Sequence, residues 1–274
     1  MPMKRALTIA GSDSGGGAGI QADLKTFQEL DVFGMSALTA VTAQNTLGVH
    51  GVYPMTAEAV INQIQAIGED IGADAVKTGM LFNAEIIEAV AEQIKIYNWE
   101  NVVVDPVMIA KGGASLLQKE AISALKKYLL PLSKVITPNI PEAEVLTGMS
   151  IQTDQEKRDA AKKLYDLGVS NIIIKGGHDE DPSESTDVLF DGQHFYKFTS
   201  KRMKTKNTHG TGCTFSASLT AELAKGASIQ EAVETAKQFI QAAIEDQIQI
   251  GNGHGPTNHW AYQKRNAVKE YAPR

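Results

Sequence analysis

One glycine-rich turn combines the residue types that suit chemistry on an anion. The segment Thr208-His-Gly-Thr-Gly-Cys213 contains Gly210 and Gly212, which adopt backbone conformations that other residues avoid. The small and apolar residues after it predict a helix over 214–225. A helix start presents unpaired N–H groups and a positive dipole end, so this turn predicts a phosphoryl-transfer site. The alternative is a tight turn whose glycines serve packing alone.

Cys213 is the only cysteine of the chain and stands at the predicted start of that helix. A helix N-terminus lowers the pKa of a thiol, which makes Cys213 a candidate general base toward a substrate hydroxyl. The alternative is a small buried hydrophobic residue, a common role for free cysteines.

Three further residues have side chains that suit a hydrated Mg²⁺ ion. Asn139 and Glu142 are three residues apart at a predicted helix start, and Asp105 ends a predicted strand. Carboxylate and amide oxygens are ligands that Mg²⁺ prefers. Helix capping, which Pro141 favours, is the alternative for the first two residues. A turn aspartate at a strand end is the alternative for Asp105.

Other polar residues stand near strand ends or near the first glycine-rich loop. Lys175 follows an apolar strand and could oppose a nucleotide phosphate, or it could be a solvated loop lysine. Asp23 and Gln44 could serve a ligand or could equally be surface residues. Asp13 is a further polar residue beyond the first predicted strand.

The elements that must position these residues alternate along the chain. An apolar strand at 6–10 leads through a loop at 11–19 to a helix at 20–30. The loop fits neither the G-x-G-x-x-G pattern nor the Walker pattern of nucleotide-binding proteins. Strand–helix units then repeat to residue 175, and the apolar runs 102–104 and 172–174 predict strands buried on both faces.

This alternation predicts an α/β fold with a mostly parallel central sheet and helices on both faces, as one domain over 1–274. The later predicted helices cover 57–71, 84–96, 118–130, 142–147, 155–167, 214–225 and 229–248. Asp191-Gly192 predicts a hairpin turn, and 251–259 predicts an irregular tail. Ligands bind beyond the carboxyl ends of such strands, so the polar strand-end residues should meet at one edge.

Composition argues against several classes of function. The chain of 274 residues has 26 Lys and Arg against 32 Asp and Glu, a net charge of −6, which gives no field for nucleic acid or anionic membranes. It has no apolar run of membrane-spanning length, and a single cysteine suits a reducing interior, so we expect a cytoplasmic protein. No His-Glu-x-x-His pair or G-x-S-x-G elbow is present, which argues against zinc and serine hydrolysis.

Seven motifs occur in an order that resembles one known family. They are Ala10-Gly-Ser-Asp-Ser-Gly-Gly-Gly-Ala-Gly-Ile-Gln-Ala-Asp23, Val41-Thr-Ala-Gln-Asn45, Lys77-Thr-Gly-Met80, Asp105-Pro-Val-Met108, Thr137-Pro-Asn-x-x-Glu142, Lys175-Gly-Gly-His178 and His209-Gly-Thr-Gly-Cys213. The set resembles the bifunctional hydroxymethylpyrimidine/phosphomethylpyrimidine kinases of thiamine biosynthesis, within the ribokinase-like superfamily. The resemblance implies a three-layer ribokinase-like fold, ATP with Mg²⁺, and phosphorylation of 4-amino-5-hydroxymethyl-2-methylpyrimidine to its monophosphate and then to its diphosphate.

The resemblance also implies roles for individual residues. It assigns substrate binding to Gly11, Asp23, Gln44, Met80 and Val107, and metal binding to Asp105, Asn139 and Glu142. Nucleotide binding falls to Lys175, Thr208, His209, Gly210 and Gly212, and catalysis falls to Cys213, Gly210, Thr211, Gly212 and Lys175. Most sugar kinases of the superfamily have an aspartate base where this chain has Cys213.

Related pyridoxal kinases share that cysteine, so the resemblance leaves pyridoxal or pyridoxine as the alternative substrate. A thiol can capture an aldehyde reversibly, which would suit pyridoxal, whereas Gln44 favours the pyrimidine. The resemblance further implies a homodimer, and the extended segments around 35–53 could form an edge sheet for the partner subunit.

Overall fold

The computed structural model describes residues 2–108, 119–178 and 183–270. In these ranges the strands, in chain order, are β1 Arg5–Ala10, β2 Phe33–Leu38, β3 Ala40–Asn45, β4 Gly48–Pro54, β5 Ala75–Thr78, β6 Val102–Val104, β7 Val135–Ile136, β8 Asn171–Ile174, β9 Glu184–Phe190 and β10 Phe195–Lys201. The α-helices are α1 Gly19–Glu29, α2 Ala57–Gly68, α3 Ala84–Ile96, α4 Lys119–Ala124, α5 Ile140–Thr147, α6 Asp154–Tyr165, α7 Thr211–Lys225, α8 Ile229–Glu245 and α9 Ala261–Glu270.

One large sheet has the strand order β10-β9-β8-β7-β6-β5-β1-β2. The pairs from β8 to β2 are parallel, whereas β9 and β10 add an antiparallel edge. The mostly parallel sheet is therefore confirmed, and the predicted hairpin at Asp191-Gly192 connects β9 to β10. Strands β3 and β4 form a separate antiparallel ribbon beside the sheet.

Helices cover both faces of the sheet, as predicted, because alternate residues of each buried strand point to opposite sides. Val102 and Val104 of β6 pack into the core shared with α2 to α6. Val103 packs on the other side, with Leu219 of α7 and Val233 of α8. Burial on both faces explains the uniformly apolar strands. In the described ranges, no helix combines the length and apolarity that crossing a membrane requires.

The helix predicted over 118–130 is shorter and less regular than expected. Residue 118 lies outside the described residues, and α4 ends at Ala124. A π-helical turn over Leu125–Leu129 and a 3₁₀ turn over Leu130–Leu132 follow. Pro131 lies within the 3₁₀ turn and has no N–H group, so it cannot donate the hydrogen bond that would continue the α-helix.

Two differences at the other end of the chain bear on the site. Helix α7 begins at Thr211, three residues before the predicted start, because Gly210 takes the capping position with φ of 82°. Its first turn therefore includes Cys213. The tail at 251–259 is irregular, as predicted, but the helix α9 that follows was missed. Helix α9 is mostly polar, and it packs on α8 through contacts such as Tyr262 with Phe239.

Candidate active site

A cavity of about 370 Å³ lies where the parallel strands of the sheet end. Its wall is formed by the loops after β1, β5, β6, β7 and β8, by the ribbon β3–β4 and by the start of α7. The structure brings together on this wall nearly all residues that the sequence assigned to a site, namely Gly11, Gln44, Met80, Asp105, Val107, Asn139, Glu142, Lys175, Thr208, His209, Gly210, Thr211, Gly212 and Cys213. The sheet topology explains the gathering, because these residues follow neighbouring strands.

The turn before α7 is pressed against the first glycine-rich loop. A Cβ atom on Gly210 would overlap the carbonyl oxygen of Gly17 and would also contact Ala18. Gly210 also has φ of 82°, in the left-handed region that favours glycine. The close approach of the two loops, together with this φ, therefore requires glycine at position 210.

The first turn of α7 has the geometry of an anion site. The N–H group of Thr214 donates to Gly210 O at 2.9 Å, which begins the helical hydrogen bonds. The N–H groups of Gly212 and Cys213 precede it and have no acceptor within the helix. Both residues line the cavity, where such N–H groups and the helix dipole favour a negatively charged group.

Asp13 connects the two loops, and residue-by-residue reasoning from the sequence gave it no role. Its Oδ2 atom accepts hydrogen bonds from the N–H groups of Gly17 at 3.0 Å and Ala18 at 2.9 Å. The same atom lies 2.7 Å from His209 Nε2. Burial would raise the pKa of Asp13, but the hydrogen bond and charge of His209 and the backbone N–H groups outweigh it and lower the pKa. The signal in the sequence is an aspartate followed by glycines, which is typical of a turn closed by its own carboxylate.

Lys175 opposes Asp105 on the cavity wall. Its Nζ atom lies 3.2 Å from Asp105 Oδ1, and only 15% of the lysine side chain is exposed. Burial acts to lower the pKa of Lys175, but the carboxylates of Asp105 and Glu142 raise it above its usual value. Lys175 is therefore a charged group of the cavity and not a solvated loop lysine.

Asn139 and Glu142 form a capping box at the start of α5. Asn139 Oδ1 accepts from the N–H group of Glu142 at 2.9 Å, and Glu142 Oε2 accepts from the N–H group of Asn139 at 2.8 Å. The capping alternative thus describes their local structure, although both residues also line the cavity. Burial raises the pKa of Glu142, and the neighbouring charge of Lys175 opposes that rise.

These oxygens fit a Mg²⁺ ion that keeps much of its water. Within the described ranges, no group of three or more His, Cys, Asp or Glu side chains is arranged to hold a metal. Mg²⁺ in phosphoryl-transfer sites is commonly bound by one or two carboxylates together with water and substrate phosphates. Asp105 and Glu142 supply two carboxylates, and the amide of Asn139 lines the same cavity.

The structure does not support the assignment of Asp23 to the substrate pocket. Its side chain is completely buried and does not line the cavity. Lys77 Nζ donates to its two carboxylate oxygens at 2.8 and 2.7 Å, and Thr8 Oγ1 donates to Oδ2 at 2.6 Å. Asp23 therefore lies behind the wall, where it neutralises Lys77, and Lys77 is the member of the pair that reaches the cavity.

The predicted lowering of the Cys213 pKa is wrong. Burial raises the pKa of the thiol to about 11, and the carboxylates of Asp23 and Asp105 act in the same direction. The charge of Lys77 and a hydrogen bond from the Gly19 N–H group lower the pKa but do not compensate. Desolvation of the sulfur thus outweighs the helix N-terminus, and the thiol is neutral at pH 7.

The irregular tail supplies a cavity residue that the sequence did not indicate. His254 lines the cavity, and its N–H group donates to Thr46 O at 2.8 Å. A Cβ atom on Gly253 would overlap that same carbonyl oxygen, so glycine permits the close approach. The tail is in this way fixed to the turn of the ribbon β3–β4. The only feature of the sequence that points to this close approach is the series of glycines in the tail.

Comparison with known proteins gives a consistent result. A family model described as phosphomethylpyrimidine kinase matches residues 13–258. A hydroxymethylpyrimidine/phosphomethylpyrimidine kinase of Bacillus subtilis is 60% identical over 268 residues, which are 98% of each chain. A thiamine biosynthesis bifunctional protein of Geobacter sulfurreducens is 52% identical over 94% of this chain, which spans 52% of that longer protein.

A solved structure agrees with the fold. The crystal structure of an ADP complex of Bacillus subtilis pyridoxal kinase superposes with a TM-score of 0.89 at 45% identity. The match covers 96% of this chain and all of that one.

Proposed function

The chain belongs to the phosphomethylpyrimidine kinase family, and we propose that it transfers the terminal phosphoryl group of ATP in two successive reactions. The first acceptor is the hydroxymethyl oxygen of 4-amino-5-hydroxymethyl-2-methylpyrimidine, and the second is the resulting monophosphate, in thiamine biosynthesis. One observation carries the proposal: Gln44, the first turn of α7 and Lys175 line the same cavity. An acceptor ring and the phosphates of a donor can therefore occupy it together.

The acceptor occupies the side of the cavity formed by the loop after β1 and the ribbon β3–β4. Gln44 donates to and accepts from the polar edge of the pyrimidine ring. Gly11, Met80 and Val107 enclose the ring, and the methyl group of Met80 occupies the space that a side chain at position 11 would need. Closely packed apolar walls with one amide are typical of sites for small aromatic ligands.

The donor phosphates occupy the opposite side, at the first turn of α7. The N–H groups of Gly212 and Cys213, with the turn Thr208–Thr211, receive the transferring group. Lys175 contacts the phosphates of ATP and balances the charge that spreads over their oxygens. Fixed donors of this kind stabilise a transition state more than water does, because they need no reorganisation.

Asp105, Asn139 and Glu142 would hold Mg²⁺, in part through water. When bound, the ion neutralises negative charge on the donor phosphates. The three residues line the same cavity as Lys175, and Asp105 is in contact with it, so a bound metal would supply further positive charge on the wall that carries the lysine.

Cys213 receives the proton that the acceptor hydroxyl loses. Its position in the first turn of α7 places the sulfur next to the anion site. Because burial keeps the thiol protonated in the free protein, this role requires that Cys213 first release its own proton to solvent. Neighbouring positive charge must stabilise the resulting thiolate until it accepts the proton of the hydroxyl.

Pyridoxal or pyridoxine is the second candidate substrate. The observation in its favour is the likeness to the pyridoxal kinase structure, at 45% identity over almost the whole chain. A coupled assay with ATP and Mg²⁺ decides between the two: kcat/KM is measured for hydroxymethylpyrimidine, its monophosphate and pyridoxal. The proposal predicts that both pyrimidines are phosphorylated, each with a higher kcat/KM than pyridoxal. It fails if neither pyrimidine is phosphorylated.

We further propose a homodimer formed by the ribbon β3–β4 and the edge of β2. Large apolar side chains are exposed there: Leu47 is 69% exposed, Tyr53 63% and Phe33 52%. Exposed apolar groups on an edge strand are typical of an interface. Light scattering of the purified protein at micromolar concentration measures the mass directly, and a monomer mass contradicts the proposal. A cytoplasmic location is supported by the need for ATP and for a reduced Cys213.

A further inference from the structure

We propose that Lys77 is a positioning residue that acts through Cys213, because its buried ammonium group is the cation that allows the sulfur to carry negative charge. The inference rests on the proposed function in one respect, since it gives the charged sulfur a use. Its physical content, the dependence of the sulfur on Lys77, can be measured without any substrate.

The ion pair of Lys77 with Asp23 is buried to an unusual degree. Both side chains have 0% exposure, and the Nζ atom lies 2.7 Å from Asp23 Oδ2 and 2.8 Å from Oδ1. Thr8 Oγ1 donates to the same carboxylate at 2.6 Å. The pair connects β5 to α1, and both elements belong to the wall that holds the start of α7.

Stability alone is a poor explanation for this pair. The cost of removing two charges from water is commonly as large as their mutual attraction. Replacement of buried ion pairs by neutral side chains of similar volume is often neutral or stabilising, whereas removal of one partner is strongly destabilising. The lysine of this pair also reaches the active-site cavity, so an effect on neighbouring groups explains the pair better than stability does.

Cys213 is the neighbour in the right place. Helix α7 packs against both β5, which carries Lys77, and α1, which carries Asp23. The sulfur also accepts a hydrogen bond from the N–H group of Gly19, at the start of α1. Lys77 and Cys213 line the same cavity. The lack of a side chain on Gly79 preserves space at the ammonium group, because a Cβ atom there would lie 3.2 Å from Lys77 Nζ.

The charges that face the sulfur come from four elements, and they do not act equally. Asp23 on α1 and Asp105 after β6 oppose a negative sulfur. Lys77 on β5 is the strongest favourable charge, and the N–H group of Gly19 adds a hydrogen bond. Lys175 after β8 also interacts with the sulfur, but the interactions of Lys175 with Asp105 and Glu142 are stronger. Lys77 is therefore the cation on which a sulfur anion depends.

The single cysteine makes the test direct. The rate of alkylation by iodoacetamide, measured against pH below the thiol pKa, is proportional to the thiolate fraction, and Cys213→Ser gives the blank. The main variant is the double substitution Lys77→Met with Asp23→Asn, which removes both charges and leaves neither partner buried alone. We expect alkylation at pH 8 to fall about tenfold, the equivalent of one pKa unit. A rate within twofold of the wild type overturns the proposal.

Two further variants keep the test decisive. Asp23→Asn alone removes the opposing carboxylate but retains Lys77. The negative charges of Cys213 and Asp105 also raise the pKa of Lys77 and so keep the lysine protonated. This variant should be alkylated faster than the wild type, and an equal or slower rate overturns the proposal even if the double variant fails to fold. Lys175→Met is the matched control, a second cavity lysine paired with a different carboxylate. Its effect on alkylation should be smaller, and an effect as large as that of the double variant contradicts a specific role for Lys77.

Kinase assays on the same proteins separate this inference from the proposed function. Slower alkylation with a parallel fall in kcat supports both. Slower alkylation with unchanged kcat supports the role of Lys77 but removes Cys213 as the proton acceptor. Unchanged alkylation with reduced kcat overturns the inference, because Lys77 then acts by a route that does not include the sulfur.

Discussion

His209 Nε2 lies 2.7 Å from Asp13 Oδ2, in a contact that joins residues 196 positions apart in the chain. The same carboxylate accepts hydrogen bonds from three N–H groups of the first glycine-rich loop. One side chain thus fixes the shape of that loop and its distance from the turn at the start of α7. The loop after β1 and the turn before α7, two parts of the cavity wall, are held together at this point.

Asp13→Ala should therefore reduce both stability and activity. The buried N–H group of Gly17 loses its acceptor, and the free energy of unfolding should fall by about 1–3 kcal/mol. Because both loops lose their connection, kcat/KM should fall for the acceptor and for ATP. Urea unfolding and steady-state kinetics measure the two effects. Asp191→Ala is the control, since Asp191 also accepts from two backbone N–H groups but in an exposed turn far from the cavity. A loss of kcat/KM in the control would contradict the assignment.

Gly210→Ala tests the close approach of the two loops. Gly226 caps the other end of α7 with φ of 89°, and a Cβ atom there would have nothing within 4 Å, whereas a Cβ atom on Gly210 would overlap Gly17. Both substitutions incur a strain of about 1 kcal/mol from the positive φ. Only Gly210→Ala should also displace the anion site and reduce kcat by a factor of about 10² or more. Equal kinetics in the two variants would show that the overlap is relieved without consequence.

The sequence was sufficient for the parts of the site that depend on strand order. Alternating strands and helices predicted the sheet, and the sheet places Asp105 and Lys175 at one edge. Local sequence also indicated the capping box of Asn139 and Glu142, as the alternative to metal binding. In each of these cases the signal is the local pattern of each element together with the order in which the elements follow one another.

The parts that were missed depend on burial and on contacts between distant residues. Asp23 pairs with a lysine 54 residues away, and nothing in either motif shows that the pair lies behind the cavity wall. The pKa of Cys213 depends on how much water reaches the sulfur, which the helix start does not reveal. The role of Asp13 depends on its contact with His209, which is 196 positions away in the chain and which no local pattern predicts.

Lys175→Met should weaken the donor side of the site. The substitution removes the charge that faces Asp105 and that, in the proposed mechanism, contacts the phosphates of ATP. KM for ATP should therefore rise, and kcat should fall about 10²-fold or more. The melting temperature should also fall, because the carboxylate of Asp105 is left buried without its partner. Lys197→Met removes an exposed ion pair with Asp154 and is the control. Unchanged kinetics with ATP in Lys175→Met would remove this residue from the proposed mechanism.

Cys213→Ala separates proton transfer from binding. If the sulfur accepts the proton of the hydroxyl, kcat should fall by about 10²–10⁴, the usual contribution of a general base. The dissociation constant for hydroxymethylpyrimidine, measured by calorimetry, should change much less. An unchanged kcat would assign the proton to another acceptor. A loss of binding equal to the loss of kcat would show that Cys213 serves only to shape the pocket.

His259 should make the stability of the protein depend on pH in the acidic range. The ring is buried, and its Nε2 atom lies 3.1 Å from Thr214 Oγ1 on α7. Burial lowers the pKa of His259 to about 4, from 6.5 when exposed. Between pH 6.5 and about 4, His259 is protonated in the unfolded chain but not in the folded chain. The contribution of the neutral ring to the free energy of unfolding is therefore fully present above pH 6.5 and is lost as the pH falls to about 4. The size of this contribution is about 3 kcal/mol.

His259→Gln, which keeps a polar side chain beside Thr214, should lack this contribution. Urea unfolding at about pH 7.5 and about pH 5 gives the difference in free energy for each protein, and the wild type should show the larger loss on acidification. His254 also lies near the site but is exposed and hydrogen-bonded at Nδ1 to a backbone carbonyl, so His254→Gln is the matched control. If His259→Gln and the wild type lose the same free energy between the two pH values, the buried ring is not the group that titrates.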